Sequence, residues 1–144
     1  MRFLLDTNLL SETVRARPDA GVTAWMAEQP PHEMAVSALT FGEIRNGIVR
    51  MPDGRRKTEL NRWLFGTLPE QFAGRVLPVD DPVALEWGRL TAEAEQRGRK
   101  MHAVDALLVA TALVRGLILV TRNERHCAGW GAPTINPWSD GTSD

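Results

Sequence analysis

Residues 1–12 read MRFLLDTNLLSE, and this stretch decides the fold class. Phe3, Leu4 and Leu5 form a short apolar run that stops at the polar triplet Asp6-Thr7-Asn8. Similar short runs recur down the chain, separated by longer segments of helical period, and that alternation predicts strands of a parallel sheet joined by helices. The predicted strands are Arg2 to Leu5, Met34 to Val36, Val76 to Val79 and Leu117 to Val120, with a fifth at Thr134 to Ile135 before the stop signal Asn136-Pro137.

Helices fill the intervals. Ser37 is suited to cap a helix running to about Arg50, and Asp81-Pro82 reads as an N-cap followed by proline at the first helical position, opening a helix toward Arg97 that Gly98 ends. The loop MPDGRRK precedes another helix reaching about Phe72, in which Leu60, Trp63, Leu64 and Leu68 recur at helical spacing. The five tryptophans are most simply core or interface residues. The expected organisation is a single domain over residues 1–138 with a loose tail at 139–144, which carries little to bury.

Composition excludes several classes. A chain of 144 residues suits one domain, and no apolar run approaches the roughly 20 residues of a membrane helix. The N-terminus lacks the basic and apolar regions of a secretory signal, so a cytoplasmic protein is expected. Cys127 is the only cysteine, which rules out an internal disulfide or a multi-thiolate zinc site and suits a small buried hydrophobe. A net charge of −1 gives no global attraction to polyanions, so any nucleic-acid contact has to come from a local basic patch.

Three carboxylates stand out. Asp6 follows the first strand, at the edge where open parallel sheets bind ligands, although a helix cap for Thr7 onward explains it equally well. Glu43, in SALTFGEIRNGI, borders the stripe of Leu39, Ile44 and Ile48, where a solvated glutamate is the alternative. Asp105 lies near the start of AVDALLVATALV, a helix apolar on nearly every face, so it is expected to be buried and to need a cation or strong donors. With 36 and 61 residues between them, three acids near one end of the sheet make a pocket for a hard cation, Mg2+ or Mn2+. His32, His102 and His126 lack zinc-ligand spacing. Hydrolytic phosphoryl transfer is the implied chemistry. An aspartyl-nucleophile phosphatase is disfavoured by Asn8, where a second aspartate is wanted, and the absence of P-loop and G-x-G-x-x-G motifs argues against nucleotide-cofactor enzymes. A binding module without catalysis is the remaining alternative.

The combination of LLDTNLLSE, SALTFGEIRNGI, RVLPVDDPVALEWGRL, RGRKMHAVDALLVATAL, LILVTRN and INPW resembles the PIN-domain ribonucleases, in particular the VapC and FitB-like toxins of toxin–antitoxin pairs. The resemblance implies an α/β/α sandwich with a central parallel sheet of four to five strands, a metal-dependent endoribonuclease acting on RNA, a VapB-like antitoxin partner, and a homodimer or toxin–antitoxin hetero-oligomer. Matched position by position, it places metal-binding acids at Asp6, Glu43 and Asp105, neighbouring polar residues at Thr7, Asn8 and Thr121, and a fourth, otherwise acidic, catalytic position at Asn123. An amide there keeps hydrogen-bonding capacity but lacks the negative charge. Arg45 and Arg122 are the expected RNA contacts, drawn from basic positions that also include Arg50, Arg55-Arg56-Lys57, Arg99-Lys100 and Arg125. The resemblance also supports inhibition by an antitoxin tail that places an arginine among the three acids.

Overall fold

The computed structural model describes residues 1–139. Strand β1 (Phe3–Leu5) lies at the centre of a five-stranded sheet. Its partners are β2 (Met34–Ser37) and β4 (Ile118–Val120), with β3 (Val76–Leu77) outside β2 and β5 (Thr134–Ile135) outside β4. Every pairing is parallel, with Phe3 opposite both Met34 and Ile118. Parallel strands need crossovers on the sheet faces, which is why the strands read as continuous apolar runs.

The two-residue period of a strand divides the core into two layers. Phe3, Leu5, Met34, Val36 and Val120 pack with Leu9 and Leu10 of α1 (Thr7–Thr13), Val22 of α2 (Ala20–Glu28) and Ile44 and Ile48 of α3 (Ala38–Val49). Leu4, Ala35, Leu77 and Leu119 pack on the opposite face. They meet Leu90 and Ala94 of α6 (Asp81–Gln96) and Leu108, Val109 and Ala112 of α7 (Ala103–Arg115). The result is an α/β/α sandwich.

Several boundaries differ from the sequence reading. Strand β3 stops at Leu77 because Pro78 has no N–H to continue the ladder. Leu117, expected in β4, instead closes the end of α7, its N–H bonding to Ala112 O after Gly116 turns left-handed at φ 66°. The cap of α6 is Asp80, not Asp81: its carboxylate accepts Val83 N–H at 3.3 Å and pairs with Arg115 at 3.0 Å, tying α6 to the end of α7. The helix expected to reach Phe72 is broken into α4 (Arg55–Arg62), a π-helical turn at Trp63–Thr67 and α5 (Leu68–Gln71). Pro69 lacks the N–H that an uninterrupted α-helix would send to Phe65, and the wider turn accommodates that loss.

Ser139, expected to begin a loose tail, is held by the loop before α2. Asp19 caps α2 through Val22 N–H and also accepts Ser139 N–H at 3.0 Å and Ser139 Oγ at 2.6 Å, which holds its carboxyl below the usual range. Glu12, a buried acid of α1, accepts Asp19 N–H at 2.9 Å and orients that loop. The rest of the expected tail, 140–144, lies outside the described residues. α8 (Glu124–Cys127) follows β4, and Cys127 is fully buried, its thiol raised in pKa first by burial and then by the charges of Asp105 and Asp6.

The strand order β3-β2-β1-β4-β5 reverses direction between β1 and β4. Crevices for ligands open at such switch points, beyond the carboxyl ends of the strands. Asp6 and Thr121 are the residues that follow those two strands.

Candidate active site

Asp6 fulfils both readings left open by the sequence. It caps α1, Oδ1 accepting Thr7 N–H at 2.6 Å, and it stands at the sheet edge, Oδ2 accepting Thr121 Oγ1 at 2.6 Å. The second bond spans the switch point and is buried. Thr121 also accepts Asn123 N–H at 2.9 Å, so one hydroxyl sets the carboxylate and starts the turn after β4. Asp6 is only 5% exposed, and its pKa is raised from 3.8 to about 6. Burial is the main cause; the Thr121 and Thr7 bonds oppose it, and the negative charges of Asp105 and Glu43 add to it.

Glu43 lies one turn after buried Thr40 on α3. Thr7 Oγ1 donates to Glu43 Oε1 and sits 3.2 Å from Thr40 Oγ1. Thr40 escaped the sequence reading, although its spacing of three from Glu43 puts both on one helix face. Asp105 occupies the first turn of α7, where the helix dipole favours an anion. It was expected to be the buried acid and is only partly buried. The packed part of α7 begins at Ala106, while the first turn opens into the cleft; Asp6 is the deeply buried carboxylate.

Asp6, Thr7, Glu43 and Asp105 line one cleft of about 1070 Å3, together with Asn8 and Asn123, while Thr40 and Thr121 stand behind it. Asn8 Oδ1 is buried there without a hydrogen-bond donor among the described residues. Asn123 caps α8 through its backbone only, with no side-chain cap bond. Glu124 does not replace the missing acid at Asn123, because its carboxylate accepts Thr134 Oγ1 at 3.3 Å and faces β5.

The two expected RNA contacts are not among the residues lining the cleft. Arg45 is turned toward α4 and the π-helical turn, bonded to Asn61 Oδ1 at 3.1 Å and lying 5.3 Å over Phe65; Arg122 lies 5.5 Å over Trp138. The Arg55-Arg56-Lys57 cluster is engaged by Glu59, Val14 O, Met51 O and Asp53. The basic side chains at the cleft are Arg99, Lys100 and Arg125, accompanied by the exposed His102 and His126. Among the tryptophans, Trp130 and Trp138 are buried, Trp25 and Trp63 pack at the edge of the core, and Trp87 is 37% exposed.

Three carboxylates, an orphaned amide oxygen and a second amide form a hard oxygen donor set. The Asp6 carboxyl, raised mainly by burial and further by the charges of Asp105 and Glu43, makes no ion pair among the described residues. That chemistry fits a divalent cation such as Mg2+. Among the described residues no three acid, histidine or cysteine side chains are already drawn together as a ligand cage. Magnesium does not demand one, since it binds through one or two carboxylates and keeps several waters.

Comparison with known proteins agrees with this geometry. Residues 3–128 match the PIN domain. The chain is 36% identical over 136 residues to VapC ribonuclease Y4jK of Sinorhizobium fredii, covering 94% of this chain and 97% of that protein. It is 34% identical over 138 residues to toxin FitB of Neisseria gonorrhoeae, covering 96% and 99%. The crystal structure of FitAcB from Neisseria gonorrhoeae superposes with a TM-score of 0.89 at 33% identity, over 95% of this chain and 99% of that one. The chain belongs to the PIN domain family.

Proposed function

We propose that this protein is the toxin of a toxin–antitoxin pair, a metal-dependent endoribonuclease that hydrolyses RNA phosphodiester bonds. The observation that carries the reading is the buried Thr121–Asp6 hydrogen bond across the switch point, which opens on a cleft shared with Glu43 and Asp105. The names VapC ribonuclease and toxin FitB, borne by relatives matched over nearly their whole length, support it. Asp6, Glu43 and Asp105 are the residues to hold Mg2+ or Mn2+, with Asn8 and Asn123 as polar neighbours. When bound, the cation lowers the pKa of water and neutralises charge on the phosphate oxygens.

The protein's own residues prepare that chemistry. Thr121 and the Thr7 N–H fix both oxygens of Asp6, so the carboxylate does not reorganise during reaction. Thr7 holds Glu43 in the same way from the opposite wall. Asn8 Oδ1, without a donor among the described residues, is left to accept a hydrogen bond from water in the cleft. Asn123 brings one negative charge fewer than a carboxylate, which favours one firmly held ion over two. A VapB-like antitoxin and a second copy are the proposed partners; a similar chain is solved as FitAB bound to an IR36 DNA fragment. The proposed site of action is cytoplasmic RNA.

The test is incubation of purified protein with RNA in Mg2+ or Mn2+ and in EDTA, alongside Asp105→Asn. Cleavage is expected only with metal and is expected to be lost in the variant while its circular dichroism stays native. Metal-independent cleavage, or wild-type rates in Asp105→Asn, would overturn the assignment.

A further inference from the structure

Three cations and three carboxylates line the same cleft, yet Arg99, Lys100 and Arg125 form no ion pair among the described residues. Their neighbours in sequence behave differently: Arg97 is bound to Glu93. We infer that the Arg99–Lys100 loop, with Arg125 opposite, grips a backbone phosphate of single-stranded RNA beside the reacting one, and that Trp130 is the positioning residue that holds Arg99 at the rim. This inference rests on the nuclease reading above and extends it to how substrate is held.

Arg99 is exposed, and a free arginine side chain samples many rotamers, each of which must be given up on binding. Its guanidinium instead lies 4.9 Å over the ring of Trp130. That ring is itself fixed, only 6% exposed and packed with Leu90, Ala94 and Ala106 on the α6–α7 side of the sheet. Arg97 lies 5.1 Å over the same ring. The indole N–H is buried without an acceptor among the described residues, a cost that phenylalanine would avoid. What indole adds is the strongest cation-attracting face among the aromatic side chains.

Stacking leaves the edge of a guanidinium and its N–H fork available for a second, in-plane partner, and phosphate oxygens match that fork. Among the described residues no carboxylate takes the place. RNA bound with its reacting phosphate at Asp6, Glu43 and Asp105 runs along a cleft whose wall carries Arg99 and Lys100, so a neighbouring phosphate meets them. Phosphate contacts of this kind set affinity and register and do not read sequence.

The experiment measures binding of a short fluorescein-labelled single-stranded RNA to the full chain in EDTA over a salt series, and steady-state cleavage in Mg2+. Arg99→Ala is expected to weaken binding about tenfold. It is also expected to flatten the dependence of log Kd on log salt by about 0.7, the share of one phosphate on a single strand. In the cleavage arm it raises KM with kcat within about twofold, because the lost contact is equal in ground and transition states. Trp130→Leu weakens binding as well, Trp130→Phe restores most of it, and the double variant Arg99→Ala/Trp130→Leu binds no worse than Arg99→Ala alone, since Trp130 acts through Arg99.

Wild-type affinity and salt dependence in Arg99→Ala would overturn the proposal. So would losses that simply add in the double variant, because a tryptophan that merely supports the fold would not depend on Arg99. Normal cleavage with unchanged binding refutes the rim and leaves the nuclease reading intact; absent wild-type cleavage refutes the nuclease reading while the binding arm still judges the rim.

Discussion

Replacing Asp6 with asparagine is expected to stabilise the metal-free protein and to abolish its response to metal. Asp6 is nearly inaccessible, and its pKa is raised from 3.8 to about 6. The ionised form therefore costs the apo fold about 3 kcal/mol above neutral pH, at about 1.4 kcal/mol for each tenfold change in proton affinity. Because the folded value lies above the unfolded one, the contribution of Asp6 to stability is fully present below the unfolded value and is lost as pH rises through about 6. Asparagine has no such dependence. It does forfeit the charge-assisted bond from Thr121 Oγ1, about 1–2 kcal/mol, which leaves a net gain of about 1–2 kcal/mol at about pH 8. For a domain of this length that is about 3–6 °C in Tm. The assay is thermal unfolding in EDTA from about pH 4 to about pH 8, repeated with Mg2+. The variant should overtake the wild type at about pH 5, where the growing cost of ionised Asp6 passes that of the lost bond, whereas added metal should raise only the wild type. A variant less stable than wild type at about pH 8 in EDTA, or parallel pH profiles, would refute the reasoning.

Three further predictions use positions where the structure sets the sign. In urea melts, Gly21→Ala should destabilise by about 1–3 kcal/mol, because the new methyl would lie 2.4 Å from Pro137 O and 2.7 Å from Ser139 N, both backbone atoms; Gly88→Ala, inside α6 with open space around it, should stabilise by about 0.5–1 kcal/mol. Asn123→Asp should tighten divalent-metal binding about tenfold by isothermal titration, since its side chain makes no cap bond and the residue lines the cleft; an unchanged titration would show that this turn stands outside the metal site.

The sheet was legible because strands buried on both faces leave continuous apolar runs, so Phe3–Leu5 and Ile118–Val120 announce themselves. The three acids were legible through their places at the ends of such runs and on helix faces. Burial was harder to read. Periodicity treats α7 as uniform and so assigns Asp105 to the interior, but its first turn opens into the cleft. The two arginines expected to contact RNA lie outside the cleft lining for a related reason: where a long side chain goes is decided by distant packing. Arg45 is drawn toward Phe65 on a π-helical turn that Pro69 helps create, and Arg122 toward Trp138. Arg99 gains its place from Trp130, which composition does not distinguish from the other tryptophans. The Asp19–Ser139 contact joins residues 120 apart and leaves no local signature.

The central claim is that Asp6, Glu43 and Asp105 form one site for metal-dependent hydrolysis of RNA, and the chemistry of the product ends tests it most directly. An RNA cut by the purified protein would be examined for its new termini by mass spectrometry, in Mg2+ and in EDTA. Attack by a water oriented by carboxylates needs no help from the RNA 2′-hydroxyl, so the account predicts linear phosphate and hydroxyl ends, formed only with metal, and continued cleavage when the ribose at the cut site is 2′-deoxy. Ends carrying a 2′,3′-cyclic phosphate, or cleavage that persists in EDTA, would contradict it.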